Sequence, residues 1–426
     1  MDAGLLILGA FVLLFVLGAP VVLAILLPSI VYISVADLPL VLLGQRVLYA
    51  LNSFPLVAVP VFIFVGNLMN STGITDRLFR FADVLVGRLY GGLAQVNIVA
   101  SLIFSGMSGA ALADVGGLGR VEIKAMVERG FSPAFSGAVT AASAIVGPIF
   151  PPSIPLIIYA AVASISTVKL LVAGILPAIL CVVLLMITTA AIAMMRELPR
   201  ARRWPRPGEL WQAFYPALPA LVAPVILIYG MLSGRFTPTE AAAVTVVYVL
   251  LVSAFVYRDL RWPFVREAAM ETIRSSASIL IIVAAASLFG WILAIERVPQ
   301  AFTLWLAGLD TAPWMLLLLV NVIFLIAGLF IDTTTATLLL VPIVAPPVVM
   351  AGVDPIHLGI VIIFNLMMGT VTPPFGLSLF LISDMTKVPM LALLRATLPF
   401  YVPLLLTLLI LTFVPEISTW IPSMMR

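Results

Sequence analysis

Long apolar runs separated by short polar clusters dominate this chain. A helix that crosses a bilayer needs about 20 apolar residues. On that measure full spans are expected at 4–34, 54–73, 134–165, 168–196, 214–233, 238–257, 276–295, 356–386 and 389–416. Two further runs, 93–128 and 314–350, are interrupted near their middles, one by Ser105-Gly106-Met107-Ser108-Gly109 and the other by Asp332-Thr333-Thr334-Thr335. Small and polar residues in that position predict two half-length helices that enter the membrane and turn back. The segments 75–90 and 258–274 mix Arg, Asp and Glu with Leu, Phe, Val and Trp at helical spacing. They are expected to lie along the membrane surface.

The pattern repeats. Shifted by 222 residues without gaps, Gly106 falls on Gly328, Gly130 on Gly352, Pro133 on Pro355, Gly137 on Gly359, Gly147 on Gly369, Pro151 on Pro373, Pro152 on Pro374 and Pro177 on Pro399. Coincidences among Leu, Val and Ile would carry little weight here, but Gly and Pro punctuate the backbone. Each copy holds an interrupted hairpin, then a span broken by Pro-Pro, then a further span. The span at 214–233 lies between the copies as one extra crossing, so the second copy is expected to enter from the opposite face. Inverted repeats of this kind recur in secondary transporters, whose sites lie near the midplane at the repeat interface.

The broken spans carry the chemistry. Gly147-Pro148-Ile149-Phe150-Pro151-Pro152-Ser153 and Gly369-Thr370-Val371-Thr372-Pro373-Pro374-Phe375 lie mid-span. Proline removes a backbone donor and clashes one turn back, so paired prolines after a glycine unwind the helix. Irregular backbone at membrane depth persists where it is buried in protein or lines a cavity. Exposed carbonyls there can be satisfied by Na⁺. A plain proline kink competes for one such site; two equivalent breaks, each beside a polar hairpin tip, favour ion sites. Helices restart after each tip and aim partly positive amides inward, which suits a carboxylate. Capping or close packing competes for each Ser and Thr taken alone. Asp332 differs, because an acid inside the membrane is costly; it is expected to bind Na⁺ or to hold its tip. Thr237-Pro238-Thr239-Glu240 reads as a capping box, Asp354 as another cap, and Asp384 with Lys387 as a pair. Asp114, Glu122, Lys124, Glu128 and Arg129 are expected near the surface, where charge is cheap.

Composition agrees with a chain dissolved in lipid. Of 426 residues 63% are hydrophobic and 10% charged, with a mean hydropathy of +1.23, against about 45–50% and about 25% for soluble domains. The net charge of +3 is small and the arginines are scattered, which argues against nucleic acid as a partner. One cysteine, Cys181, excludes an internal disulfide, and one histidine, His357, cannot build a His/Cys metal cluster. The N-terminus lacks the basic stretch of a signal peptide, so its apolar run is read as a retained span. Basic residues favour the cytoplasmic side. Arg196, Arg200, Arg202, Arg203 and Arg206 share one loop, Arg77, Arg80 and Arg88 follow the second span, and Arg258, Arg261, Arg266 and Arg274 follow the sixth. The expected topology therefore has the N-terminus cytoplasmic and the C-terminus periplasmic, in a bacterial inner membrane.

Four stretches carry a resemblance: Ser105 to Asp114, Gly147 to Pro155, Phe236-Thr237-Pro238-Thr239-Glu240-Ala241-Ala242, and Gly369 to Pro374. Together they resemble the large membrane subunit of tripartite ATP-independent periplasmic (TRAP) transporters, over essentially the whole chain. The resemblance implies an all-α polytopic, ion-transporter-like fold with an elevator cycle. Scaffold and arm spans would occupy 1–92 and 234–313, and transport-domain elements 93–165 and 314–386. A span with a basic loop would occupy 166–213, an inter-repeat span 214–233 and a C-terminal span 387–426. It implies Na⁺ coupling, a small four-span membrane subunit, here expected as a separate chain, and a periplasmic protein that delivers the substrate. Substrates would be small organic anions such as C4-dicarboxylates or sialic acids. One Na⁺ would be held by Ser105, Ser108, Gly109, Gly147, Pro148 and Phe150. A second would be held by Gly328, Asp332, Thr335, Gly369, Thr370 and Thr372. Ser108, Ser153, Asp332, Thr333, Thr334 and Pro373 would face the substrate. The alternatives are a stand-alone anion:Na⁺ symporter and, more remotely, a membrane-embedded enzyme; no His-Glu-x-x-His motif or paired intramembrane acids favour the latter.

Overall fold

The computed structural model describes residues 2–109, 111–199, 207–308 and 312–425, and every element among them is a helix. Arg200, Arg202, Arg203 and Arg206 lie outside the described residues. Among the described residues seven helices are long and apolar enough to cross a membrane. Lipid is as apolar as leucine, so such helices associate through close packing and interhelical hydrogen bonds.

The expected first span is two helices, α1 (Asp2–Val16) and α2 (Val21–Val35). Gly18 at φ +85° turns the chain, and Pro20 caps the second helix. At 15 residues each they reach only about 22 Å. They fold back on one another: Gly4 lies against Glu296 and Val298, and Tyr32 donates to Glu296 Oε1 at 2.5 Å. The helices α3 (Val41–Leu51) and α4 (Phe54–Ser71) follow and meet at 57°. The surface segment at 75–90 contains α5 (Ile74–Val86), which buries Ile74, Leu78 and Ala82 on one face.

The first hairpin descends as α6 (Leu93–Ser108) and returns as α7 (Ala111–Gly116) and α8 (Leu118–Glu128). A contact of 3.8 Å between Asn97 Nδ2 and Met126 Sδ joins its two ends. Asp114 and Glu122 do not sit at the surface; the returning limb turns them inward, leaving them 3% and 1% exposed. The broken span is α9 (Pro133–Ser143) and α10 (Ile154–Ala163). Next come α11 (Thr167–Ala173), α12 (Ile175–Met195) and α13 (Pro207–Leu232).

The helix α14 (Pro238–Leu251) starts at the expected capping box, with Thr237 and Glu240 bonding reciprocally, and ends in one wide π turn. The segment 258–274 is no separate surface helix. Its residues 262–274 open α15 (Trp262–Ile295), a helix of 34 residues, because no glycine or proline interrupts 264–289. The helix α16 (Val298–Ala307) precedes the second hairpin, α17 (Pro313–Phe330) and α18 (Thr333–Met350). Both limbs have 18 residues, longer than the half-length expected, yet they return to one face, where Pro313 and Trp314 share a cavity wall with Gly352 and Val353. The second broken span is α19 (Pro355–Gly369) and α20 (Leu377–Thr386), followed by α21 (Met390–Phe413) and α22 (Glu416–Ser423). Asp354 caps α19 through the amides of Ile356 and His357, and Lys387 pairs with Asp384 at 2.8 Å.

The copies embrace each other reciprocally. A methyl group on Gly137 of α9 would run into Ile382 of α20 and Leu393 of α21. One on Gly359 of α19 would run into Tyr159 of α10 and Leu170 of α11. Such exchange marks a two-fold relation. From Gly137 forward to Tyr159 the neighbours run backward, from Ile382 to Gly359, so the two broken spans lie antiparallel.

Candidate functional site

In the first break, the residues between α9 and α10 form a tight 3₁₀ turn and then a run of turns and bends with a cis Pro151–Pro152 bond. Ser153 caps α10 through the amide of Leu156 at 3.2 Å and donates to the Pro148 carbonyl. The tip of the first hairpin docks directly: Gly109, at φ +62°, accepts from the Ile154 amide at 3.2 Å. Among the described residues no donor reaches the carbonyls of Gly147 or Phe150. Ser105 is fully buried and donates back to Ser101 within α6. Behind it Ser101 bonds Ser143, Ser143 bonds Asn97, and Asn97 bonds Thr140. The side chain of Ser108 lies outside the described residues.

The second break has a cis Pro373–Pro374 bond and more side-chain oxygen. Thr370 and Thr372 donate to the carbonyls of Met367 and Met368, each at 2.7 Å, which leaves lone pairs on both hydroxyls. Tyr401 donates to the Val371 carbonyl at 2.6 Å. At the tip, Asp332 caps α18, accepting from the Thr335 amide at 3.1 Å and its hydroxyl at 2.5 Å. Both of its oxygens are engaged by Thr335 within the first turn of α18. Tip and break meet through backbone: a methyl group on Gly369 would overlap Gly328. Phe330 and Phe375 flank this contact with ring centroids 6.2 Å apart. Among the described residues no hydrogen bond joins Asp332 or Thr333–Thr335 to the 369–372 backbone.

Sequence reading missed two oxygen carriers, Asn365 and Ser378. Asn365 is fully buried, donates to Asn321 and to the Val361 carbonyl at 2.8 Å each, and leaves its own carbonyl oxygen unpartnered. The hydroxyls of Ser378 and Thr333, the latter expected only against substrate, also lack a partner among the described residues. A signal existed: Asn365 is polar in an apolar helix and matches Ser143 in the repeat. Orphaned carbonyl and hydroxyl oxygens at helix breaks suit a hard monovalent cation.

Two cavities open where these elements meet α3, α4 and α15. One, about 550 Å³, lies between α4, the hairpin limb α7–α8 and the first half of α15; Asn67, Asn70, Arg120, Glu267 and Glu271 line it. The other, about 460 Å³, lies between α3, α10, α18 and the second half of α15; Tyr49, Asn52, Ser53, Ser164 and Ser287 supply its polar side chains. They are counterparts, since Pro342, Leu338, Tyr49 and Ser53 of the second fall 222 positions from Arg120, Gly116, Glu271 and Ser275 of the first.

Comparison with known proteins bears on the whole chain. Residues 8–417 match the family described as tripartite ATP-independent periplasmic transporter, DctM component. The sialic acid TRAP transporter large permease SiaM of Vibrio cholerae is 42% identical over 89% of this chain and 89% of its own length. The C4-dicarboxylate TRAP transporter large permease DctM of Pseudomonas aeruginosa is 38% identical over 87% of this chain and 86% of its own length. Among solved structures, the YdaH transporter of Alcanivorax borkumensis aligns with a TM-score of 0.63 at 16% identity, covering 97% of this chain and 98% of its own. The Neisseria gonorrhoeae protein MtrF, described within a class of antimetabolite efflux pumps, aligns at 0.64 and 13% identity, covering 89% and 84%. At those identities the likeness concerns the fold.

Proposed function

The chain belongs to the DctM family, the large membrane subunit of TRAP transporters, and on that premise we propose that it carries a small organic anion inward, coupled to Na⁺, by an elevator movement. It is a multi-pass inner-membrane transporter and not an enzyme. The family implies a small membrane subunit and a periplasmic binding protein as partners; we take the small subunit to have four spans. The observation that carries the reading is the antiparallel pair of broken spans, each with a hairpin tip seated at its break.

In this reading the first Na⁺ is held by the free carbonyls of Gly147 and Phe150 near the Gly109 tip. The second is held by oxygens of Thr370 and Thr372, with Asn365, Ser378 and Thr333 as further donors. Asp332 keeps its tip in place and biases the local field toward a cation. The substrate carboxylate, of the sialic acid or C4-dicarboxylate kind, meets the helix starts after the tips. The block formed by both hairpins and both broken spans slides against α3, α4 and α13–α15. The two cavities mark the routes to either face.

We also revise the orientation. Residue 4 sits beside Glu296, at the far end of α15 from Arg258, Arg261 and Arg266, some 50 Å away at about 1.5 Å per residue. With the basic clusters taken as inside, the fold-back of α1 on α2 supports an N-terminus on the periplasmic face, together with the C-terminal helix, in place of the cytoplasmic one expected from sequence.

Reconstitution tests the reading. The complex with its small subunit in proteoliposomes should take up labelled carboxylate only with an inward Na⁺ gradient and the binding protein present. Uptake without the soluble protein would instead favour a stand-alone symporter, and uptake indifferent to Na⁺ would remove the coupling.

A further inference from the structure

The repeat builds the same cavity twice but charges only one of them. In the larger cavity Arg120 projects from α8, opposite Glu267 and Glu271, which stand one turn apart on α15. The position equivalent to Arg120 in the other cavity is Pro342, and that of Glu271 is Tyr49. The fold therefore does not require these charges.

Arg120 also differs from its neighbours. Lys124 pairs with Glu128 at 4.0 Å, and Arg129 pairs with Asp83 at 3.1 Å. Arg120 is exposed and, among the described residues, has no ion pair with either glutamate across the cavity. Its guanidinium fork is thus available to a carboxylate in two-point geometry. Asn67 uses its amide on Thr272 at 3.1 Å, which leaves its carbonyl oxygen for a ligand. The cavity reaches Ile154, whose amide is bonded to the hairpin tip at Gly109. It therefore borders the first hairpin tip, beside which the proposed function places the substrate.

We propose that this cavity is a substrate subsite selective for a hydroxylated monocarboxylate, a sugar acid, over a C4-dicarboxylate. Arg120 takes the single carboxylate. Glu267, Glu271 and the asparagine side chains accept the substrate's hydroxyl protons. One guanidinium against two carboxylates leaves the lining at net −1. A second carboxylate on the substrate would meet like charge with no cation to receive it, and such repulsion is a usual means of rejecting a near relative. The subsite rests on the carrier reading but goes beyond it, because it names the chemistry that is passed and the residues that sort it.

The test uses the purified complex with its small membrane subunit and no binding protein, so that selection by the soluble component is absent. Equilibrium binding is measured for N-acetylneuraminate, D-gluconate and succinate. The sugar acids should bind at least about tenfold more tightly than succinate, the size of one partly screened charge repulsion. Arg120→Gln should weaken sugar-acid binding about tenfold, with Arg120→Lys recovering part of it. Glu271→Gln should narrow the preference about fivefold by tightening succinate alone. Succinate binding as tightly as the sugar acids, no saturable sugar-acid binding, or a preference unmoved by Glu271→Gln would each overturn the subsite. Na⁺-driven uptake with the binding protein is assayed on the same preparations. Uptake that persists while the preference is absent overturns the subsite alone; uptake lost in the unaltered complex overturns the carrier reading.

Discussion

The two hairpin-and-break units share a backbone plan but satisfy it with different chemistry. In the first, Gly109 hands its carbonyl to the start of α10, and the break offers carbonyls flanked by Pro148 and Phe150. In the second, the same positions are Thr370 and Thr372, and the tip has Asp332 where the first has Ala110 in sequence. The first unit keeps its acids, Asp114 and Glu122, behind the tip, where burial excludes water. The second keeps its acid at the tip, tied to Thr335. A repeated backbone thus leaves each half free to use different oxygen donors. The second site is richer in side-chain oxygen, so mutations that remove side chains should separate the two.

The largest effect is expected at the contact between tip and break. In Gly369→Ala the new methyl meets the Gly328 backbone, which cannot rotate away. Overpacking of this sort costs about 3 kcal/mol, and uptake and the yield of monodisperse complex should both collapse. The matched Gly147→Ala meets a side-chain oxygen of Asp114 where Gly369→Ala meets backbone, so its loss should be smaller. Equal losses would break the comparison at its root.

Asp332→Ala comes next. Loss of the cap costs about 1 kcal/mol, and Na⁺-dependent uptake should disappear. Asp332→Ser restores the cap without the charge. If it also restores uptake with an unchanged Na⁺ response, Asp332 acts on the tip and has no part in the ion site.

Thr372→Ala removes a hydroxyl that Phe150 never offered in the first unit. The sodium concentration for half-maximal uptake should rise roughly fivefold, in line with about 1 kcal/mol for one hydrogen-bonding group. Complex assembly measured by size-exclusion chromatography should stay intact; a parallel loss of assembly would point to folding instead. The smallest change is expected for Tyr401→Phe, which frees the Val371 carbonyl. Stability should fall by about 1 kcal/mol, seen as a modest drop in thermal midpoint, with the sodium dependence shifted less than for Thr372→Ala.

Much of this architecture was legible because its signals are local. Pro-Pro after Gly breaks a helix wherever it sits, so the breaks at 147–153 and 369–375 were legible; the hairpin turns fall at the edges of the expected interruptions, since α6 stays helical through Ser108 and α18 restarts at Thr333. Thr237 and Glu240 close a capping box within four residues, and Asp354 caps α19 over three. The fold-back at 17–20 had a local signal as well, Gly18 followed by Pro20, but uniform apolarity on both sides hid it. The continuity of α15 went unseen because its first half is amphipathic, and charge pattern was taken for a boundary where no breaker existed.

Composition and punctuation by themselves determined a membrane-dissolved chain, its duplicated halves and the residues at which each half is unwound, because lipid leaves the backbone few ways to satisfy its polar groups. Tertiary structure alone decided the rest. It set broken spans antiparallel with Gly137 and Gly359 in each other's grooves, and it turned Asp114 and Glu122 inward. It left Asn365 and Ser378 with oxygens unpartnered among the described residues, and it placed Arg120 across a cavity from Glu267 and Glu271. Those facts depend on which helix faces which, a matter settled by packing between segments far apart in the chain, and no local pattern encodes it.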